Sequence, residues 1–393
     1  MTSKFVRHLA RATGLTIVGA LAIVSTAGIA WADTAPPAKE LSQFETHWGA
    51  SLVRDCGFSR QLPSGQALWV FCDTAIYDWT GKLTGFITGS TAAEGPFTSG
   101  QVPTTLTEVP TPPAALNPSG PAGPAHFLPN PTNLTRQDGS QCTSSSAGYP
   151  AAWTSGVAEE PNNSATLVIT YAEVCVDNGA LLVEGMGILE YDSATNTIVS
   201  GPTEVFRAPA GTLLSSQLQL GSPIFSGGFL YLFASVCDSS TLGTCTGGRI
   251  FIANVLGASG YWQSAANYSW WFSTAYPGWS QRYQDAQSVI SGATPTAITA
   301  DSYPGKGLAI IEETSIGGSY RTWRSPSGSF AGGSWSQGPS ASSLPGCDKG
   351  SGLNLCRALT GHPEISTSTT LLMSYFDPDP AVNHVMVVGV GGW

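Results

Sequence analysis

Charge is scarce in this 393-residue chain: only 11% of residues are Asp, Glu, Lys or Arg. Basic residues are the scarcer kind, 16 against 26 acidic ones. Three of them, Lys4, Arg7 and Arg11, fall within the first 32 positions, so the remainder carries 13 against 26, a net charge of −13. That balance argues against nucleic acid or an anionic lipid surface as partner, since both need basic patches. Long apolar runs are missing after Ala30, so no later stretch is suited to span a bilayer. Several catalytic signatures are missing too. There is no P-loop, no GxGxxG turn in a βαβ setting, no HExxH and no GxSxG nucleophile elbow. No CxxC pair or His-rich partner marks a zinc site. Neither a metal nor an organic cofactor is therefore expected.

What is present begins with an export signal. Lys4, Arg7 and Arg11 form a charged start, Leu15 to Ala30 an apolar core, and Ala30-Trp31-Ala32 an A-x-A cleavage site. Residues 1–32 read as a signal peptide, which implies a secreted product with no membrane span after cleavage. A membrane anchor is the other reading, and the small-residue site directly after the core counts against it. Positions 33–42 are expected to be a flexible N-terminus. Export permits disulfides, and eight cysteines is an even number. Pairing sequence neighbours gives Cys56–Cys72, Cys142–Cys175, Cys237–Cys245 and Cys347–Cys356, one connectivity among many.

Gly (46) and Pro (27), with abundant Ser and Thr, suit short strands and tight turns rather than amphipathic helices. The length would fit two average domains, but large all-β folds use it as one. A weak repeat favours the single domain 43–393. A strongly apolar strand recurs at Leu68–Asp73, Leu167–Glu173, Phe229–Ser235, Gly307–Glu313 and Leu371–Tyr375. Each follows a turn and another strand, near Asp55, Trp153, Ser222, Asp301 and His362. Five such units predict an all-β, five-bladed β-propeller of antiparallel four-stranded blades. A β-sandwich is the alternative, but it gives no reason for one strand pair to recur five times. Gly85-Phe86-Ile87-Thr88 reads as the third strand of the first unit. The Pro/Thr/Ser-rich stretch 97–147 is expected to be a long loop wrapped over the surface, with a domain break as its rival. The molecule is expected to be a monomer.

The stretch Asp55 to Asp78 reads as a β-hairpin turning at Leu62-Pro63-Ser64-Gly65. With the turn centred on Ser64, opposed positions sum to 128. Asp55 then faces Asp73, and Cys56 faces Cys72, each pair on one side of the sheet. Two carboxyl groups flanking one bond are what glycoside hydrolysis requires, one to protonate the leaving oxygen and one to activate water or attack carbon. Neighbouring carboxyls also split their pKa values, which supplies both protonation states at one pH. The plainer reading is an Asp in a turn and an Asp ending a strand.

Arg54-Asp55-Cys56-Gly57, then Gly65 and Leu68-Trp69-Val70-Phe71-Cys72-Asp73-Thr74, resembles a secreted actinobacterial family of five-bladed propellers, long labelled a domain of unknown function, whose characterised members are endo-D-arabinanases. Gly361-His362-Pro363-Glu364-Ile365 with Met373-Ser374-Tyr375 is similar to its last blade. Gly221-Ser222 with Phe229-Leu230-Tyr231 is similar to its third. The likeness covers most of the mature chain loosely, and only the first-blade motif is specific. Cys72 stands where that family has Gly before the Asp, and Cys56 departs from its pattern after Asp55. The resemblance implies an acid/base pair of Asp55 and Asp73, inversion of configuration, and the D-arabinan of arabinogalactan or lipoarabinomannan as polysaccharide substrate. Within the pair, Asp55 is assigned as base and Asp73 as acid. Strand ends of the other blades supply substrate-binding candidates: Trp153 (with Tyr149 beside it), Glu173, Asp301, Glu313, His362 and Glu364. Each has a bland alternative: a solvated strand end for the acids, a structural role for His362, core packing for Trp153. The cluster of Trp262, Trp270, Trp271 and Trp279 reads as packing. A non-catalytic propeller that binds cell-wall glycan or a protein partner is the rival to the hydrolase.

Overall fold

The computed structural model describes residues 39–393, apart from 47–50, 110–123, 208–218, 273–277, 331–334, 350–354, 378–384 and some shorter breaks of one or two residues. The expected signal peptide 1–32 lies outside the described residues. The fold is a five-bladed β-propeller of antiparallel blades. Blade I is built from Ser51–Gln61, Gln66–Tyr77, Thr91–Pro96 and Thr105–Glu108. Blade II is Gly148–Glu160, Asn163–Asp177, Ala180–Asp192 and Thr197–Arg207. Blade III is Gln219–Ser226, Phe229–Val236, Arg249–Leu256 and Ser269–Trp271, with Trp279–Ser280 at its edge. Blade IV is Ala297–Tyr303, Gly307–Ser315, Ser319–Ser325 and Ser336–Ala341. Blade V is Arg357–Gly361, Thr370–Phe376 and Val385–Gly391, completed by Lys39–Gln43.

Of the segment 33–42 expected to be flexible, Lys39 to Ser42 lie in that last strand, and 33–38 lie outside the described residues. Lys39–Gln43 pairs antiparallel with Val385–Gly391, so the start of the chain closes the ring at its end. The closing strand covers the outer edge of Val385–Gly391, a pairing that single-sequence patterning does not reveal. The third strand of blade I also differs. Gln66–Tyr77 is long enough to serve two partners: Gln66 to Phe71 pairs with Thr91–Pro96, and Thr74 to Tyr77 pairs with Leu83–Ile87. The Leu83–Ile87 strand is therefore an added ribbon at one end of the blade, not its third strand.

The five recurrent apolar segments are the second strands of the five blades. A second strand is covered by a neighbouring blade on each face, so both of its alternating side-chain sets are buried. In blade I, Leu68 and Val70 join Leu167 and Ile169 of blade II. Ala67, Trp69 and Phe71 point the other way and join Leu372 and Val387 of blade V. Equivalent clusters fill the II–III, III–IV and IV–V interfaces. The result is one apolar wedge per blade junction rather than one central core. Trp262, Trp270 and Trp271 are buried within these wedges, and Trp279 packs against one. Of the stretch 97–147, Thr105–Glu108 is the fourth strand of blade I, Phe127 and Leu128 are buried against blades I and II, and Leu134 is buried beside Cys142 and Cys175. The bridge Cys142–Cys175 ties it to blade II. Cys56–Cys72, Cys237–Cys245 and Cys347–Cys356 are also bonded.

Candidate active site

The first strands of all five blades line the axis. Phe58 to Arg60, Gly156 and Val157, Ser222 and Pro223, Thr299 to Asp301, and Gly361 with Pro363 surround a cavity of about 20 Å³. That is room for a single water. The approach is close because glycine allows it: a Cβ on Gly156 would sit 2.5 Å from the Ser222 nitrogen. The space these residues enclose is smaller than a sugar ring, and the two ends of the first strands form the mouths of the axis.

Asp55 lies at one such mouth. It precedes Arg60 by five residues on the first strand, a separation of about 16 Å at strand rise. Across the hairpin, Ser51 to Arg54 and Phe58 to Gln61 keep the expected pairing sum of 128. Between them the register breaks twice, because Cys56 pairs with Phe71. Asp55 alone opposes Cys72 and Asp73 together, and Gly57 is the compensating extra residue, so the expected facing pairs Asp55–Asp73 and Cys56–Cys72 do not form in the ladder. Cys56 takes φ 66° and Gly57 φ 118°. Positive φ is costly for a residue with a Cβ and is held only where surroundings impose it. Here the Cys56–Cys72 disulfide pins the bulge. Bulges of this kind re-aim a side chain, and they favour barrel rims and active sites.

Asp73 is held by three donors. Tyr149 Oη donates to its Oδ2 at 2.5 Å, Trp153 Nε1 to its Oδ1 at 2.8 Å, and the Gly89 N–H to Oδ1 at 2.7 Å. Gly89, at φ 84°, is pinned in turn by Asn130, whose side chain bonds Thr88 and receives the Ala152 N–H. A Cβ on Gly89 would stand 2.1 Å from Asn130 Oδ1. Burial outweighs the donors and raises the Asp73 pKa to about 6, with a further push from the Asp55 charge. The two carboxyls thus sense each other, as two groups sharing a mouth must.

Asp55 is in a different setting. Arg357 Nε donates to its Oδ2 at 3.1 Å, and an Nη lies 3.0 Å from Oδ1, an ion-pair contact without hydrogen-bond geometry. Burial raises the Asp55 pKa, and the Arg357 charge and hydrogen bond oppose that rise. Arg357 stacks over Phe376 at 3.9 Å, which fixes its plane. Both Asp55 and Arg357 remain partly exposed, with 24% and 30% of their side chains accessible.

Glu313 joins the same cluster. It ends the second strand of blade IV, opposite Ala297 at the start of that blade's first strand. Its carboxyl accepts the backbone N–H groups of Leu359 and Ala358, and Ala358 is itself strained at φ 59°. Burial dominates and pushes Glu313 up to about 8, against those two N–H groups and Arg357, with Asp55 adding to the rise. At neutral pH Glu313 is thus mostly protonated, and the Arg357 charge is left to Asp55.

The other expected residues lie elsewhere. Asp301 forms an ion pair with Arg60 at 2.5 Å, near the opposite end of the first strands. Glu364 is hydrogen-bonded by Ser59 and lies close to Arg60, with its pKa raised to about 7 by burial. His362 is fully buried between Ser59 Oγ (2.6 Å) and Ser374 Oγ (2.8 Å), against the Trp69 ring. Burial lowers its pKa to about 3, so it is neutral. These residues make one polar network that laces blades I, II, IV and V at the axis, with Arg60 also reaching the Val157 carbonyl. Glu173 sits on the flank of blade II, where it shares a proton-binding environment with Glu204 and lies 3.9 Å from Arg207. Of the eight sequence candidates, Asp55, Asp73, Trp153 and Glu313 come together. Arg357, Tyr149's role as donor, and Gly89 were missed. Only Tyr149 had left a signal, as an aromatic beside Trp153 where blade II opens. Among the described residues, no group of three or more His, Cys, Asp or Glu is arranged to hold a metal ion.

Of the comparisons with known proteins, only a likeness to solved structures bears on this chain, and it bears on the fold. No protein-family model and no curated protein matches the sequence. Among solved structures, the chain is similar to a Bacteroides ovatus protein provisionally described as a hydrolase, with TM-score 0.54, 14% identity, and 86% and 85% of the two chains covered. It also matches a family 117 glycoside hydrolase from Zobellia galactanivorans, with TM-score 0.48, 11% identity, and 90% and 89% covered. Identities this low speak to the fold alone. Fold and geometry together define the class: a five-bladed propeller whose mouth carries paired, differently held carboxyl groups.

Proposed function

We propose that the protein is a secreted glycoside hydrolase acting on furanosidic linkages, and that its substrate is cell-wall D-arabinan, cut internally. The observation that carries the reading is the difference in partners between the two carboxyls: Asp55 is paired with Arg357, whereas Asp73 is held by the neutral donors Tyr149, Trp153 and Gly89. Burial raises both carboxyls, and only Asp55 has a cation beside it to favour its ionised form, the asymmetry on which a division into base and acid can be built.

In this reading Asp73 gives its proton to the departing glycosidic oxygen as the C–O bond breaks. Asp55 takes a proton from a water, and that water's oxygen bonds to the anomeric carbon with inversion. The next substrate cycle begins after the proton returns to Asp73 through solvent. Arg357 favours the ionised form of Asp55 against the rise that burial imposes, while Tyr149, Trp153 and Gly89 orient Asp73. Protonated Glu313 adds no negative charge beside Asp55. Rate should require Asp55 ionised and Asp73 protonated, so activity falls as pH rises through about 6. We assign Arg60, Asp301, His362 and Glu364 to holding the blades together at the axis.

The substrate is supported by the first-blade motif, and the net negative charge does not stand against a neutral glycan. The test is digestion of mycobacterial arabinogalactan at pH 5 to 6 with the purified, disulfide-bonded protein. New reducing ends, and oligosaccharides rather than single sugars as early products, are expected. Binding of the glycan with no new reducing ends would leave a non-catalytic lectin-like propeller.

A further inference from the structure

The ribbon Leu83–Ile87 is not accounted for by the ring, since blade I already has its four strands. It extends the sheet past Asp73, at the mouth. Its register places Phe86 opposite Ala75, two residues beyond Asp73 on the same strand. Residues two apart, and residues directly opposed, share a face. Asp73, Ala75 and Phe86 therefore project to one side, and Val53, opposed to Ala75, continues that side toward Asp55. The contacts agree. The Phe86 ring meets the Tyr149 ring edge-on at 6.0 Å between centroids, and Tyr149 is the residue that donates to Asp73. Yet Phe86 is 48% exposed, and Leu83 on the same ribbon 51%. The segment after the ribbon is anchored, because Asn130 holds Thr88. A large aromatic face is thus presented to solvent on a fixed ribbon beside the carboxyl pair.

We infer that Phe86 is a stacking platform for a sugar ring of the glycan next to the linkage being cleaved, and so a determinant of how the chain is held across the mouth. The inference rests on the proposed carbohydrate site and adds its wall. Aromatic faces pack against the C–H face of a sugar ring, while polar groups fix its orientation. The ring touches substrate without taking part in proton transfer, so its loss should weaken binding rather than slow chemistry.

The experiment compares wild type with Phe86→Ala, Phe86→Leu and Phe86→Trp on soluble arabino-oligosaccharides. Binding is also measured by calorimetry in an Asp73→Asn background. Phe86→Ala is expected to raise KM about five- to tenfold with kcat within about twofold, and to weaken calorimetric binding equally. Phe86→Trp should restore both. Phe86→Leu keeps apolar contact with Tyr149 and should still bind poorly, because it lacks the flat face. An effect transmitted through Tyr149 to Asp73 would move the pH profile instead, and that result would overturn the platform. Unchanged KM and binding in Phe86→Ala would overturn it too, while leaving the hydrolase reading intact. If wild type binds the glycan without cleaving it and Phe86→Ala weakens that binding, the platform stands and the hydrolase falls. Absence of binding by the wild-type chain would end the platform outright.

Discussion

Replacing Trp153 by Phe separates the possible roles of Asp73. The ring bulk stays, and one of three donors to the carboxylate is lost. A hydrogen bond to an ionised group is worth about 1.5–3 kcal/mol where solvent is excluded. Trp153 and Asp73 are both half-buried. Water recovers part of the loss, which leaves about 1.4 kcal/mol, or one pH unit. Removing a donor disfavours the ionised form, so Asp73 should titrate higher than its present value of about 6. If Asp73 is the acid, the falling alkaline limb of kcat/KM moves up by about one pH unit. If Asp73 is the base, the acid limb moves up instead. The assay is kcat/KM on a soluble arabino-oligosaccharide between pH 3 and 8. Two unmoved limbs, with the fold intact by circular dichroism, would refute the view that Asp73 titrates in the reaction.

Other outcomes follow from the same geometry. The raised Asp73 pKa means that the folded protein is stabilised by protonation there. This contribution is complete below the unfolded value near 3.8 and is lost as pH rises through about 6. Asp73→Asn should therefore raise stability at pH 7 by on the order of 2 kcal/mol and change little at pH 3.5, read as denaturant midpoints at both pH values. Glu313→Gln copies the protonated carboxyl and should keep activity within about threefold at pH 5.5; a loss of 10³-fold or more would make Glu313 the proton donor instead. Replacing Cys56 and Cys72 together by Ser opens a loop of 16 residues. This should cost about 3 kcal/mol of stability and lower kcat, because the bulge that aims Asp55 loses its tie; chemical denaturation and the hydrolysis assay check the two effects separately.

The architecture was legible because its signal repeats. A strand buried on both faces must be apolar throughout, and five such strands at comparable positions leave little choice but a ring. On either side of Asp55 to Gly57 the hairpin register was legible for a similar reason: Pro63 and Gly65 fix the turn, and alternation does the rest. The expected facing of Asp55 with Asp73 and of Cys56 with Cys72 was not met. The pair of bulges at Asp55 to Gly57 was not legible, because a bulge changes φ at one or two positions and leaves composition unchanged. Arg357 was invisible for a different reason. It reaches Asp55 across the junction between the last and first blades, 302 positions away in the chain. Sequence spacing carries no information about such a contact until the ring is closed. The closing strand Lys39–Gln43 was hidden likewise, since a short polar segment becomes a strand only when Val385–Gly391 offers it an edge. Glu173, Asp301, His362 and Glu364 were chosen for lying at strand ends or blade openings. That criterion does not distinguish the mouth from the axis or the flank, and their partners do.

The central claim is that Asp55 and Asp73 together cleave a glycan. The most direct measurement is the release of reducing ends from arabinogalactan by wild type, Asp55→Asn and Asp73→Asn at equal concentration and pH 5.5. The account predicts release by wild type and a loss of about 10³-fold or more in each variant, with melting transitions still cooperative. Wild-type rates in either variant would remove that carboxyl from the chemistry and contradict the account.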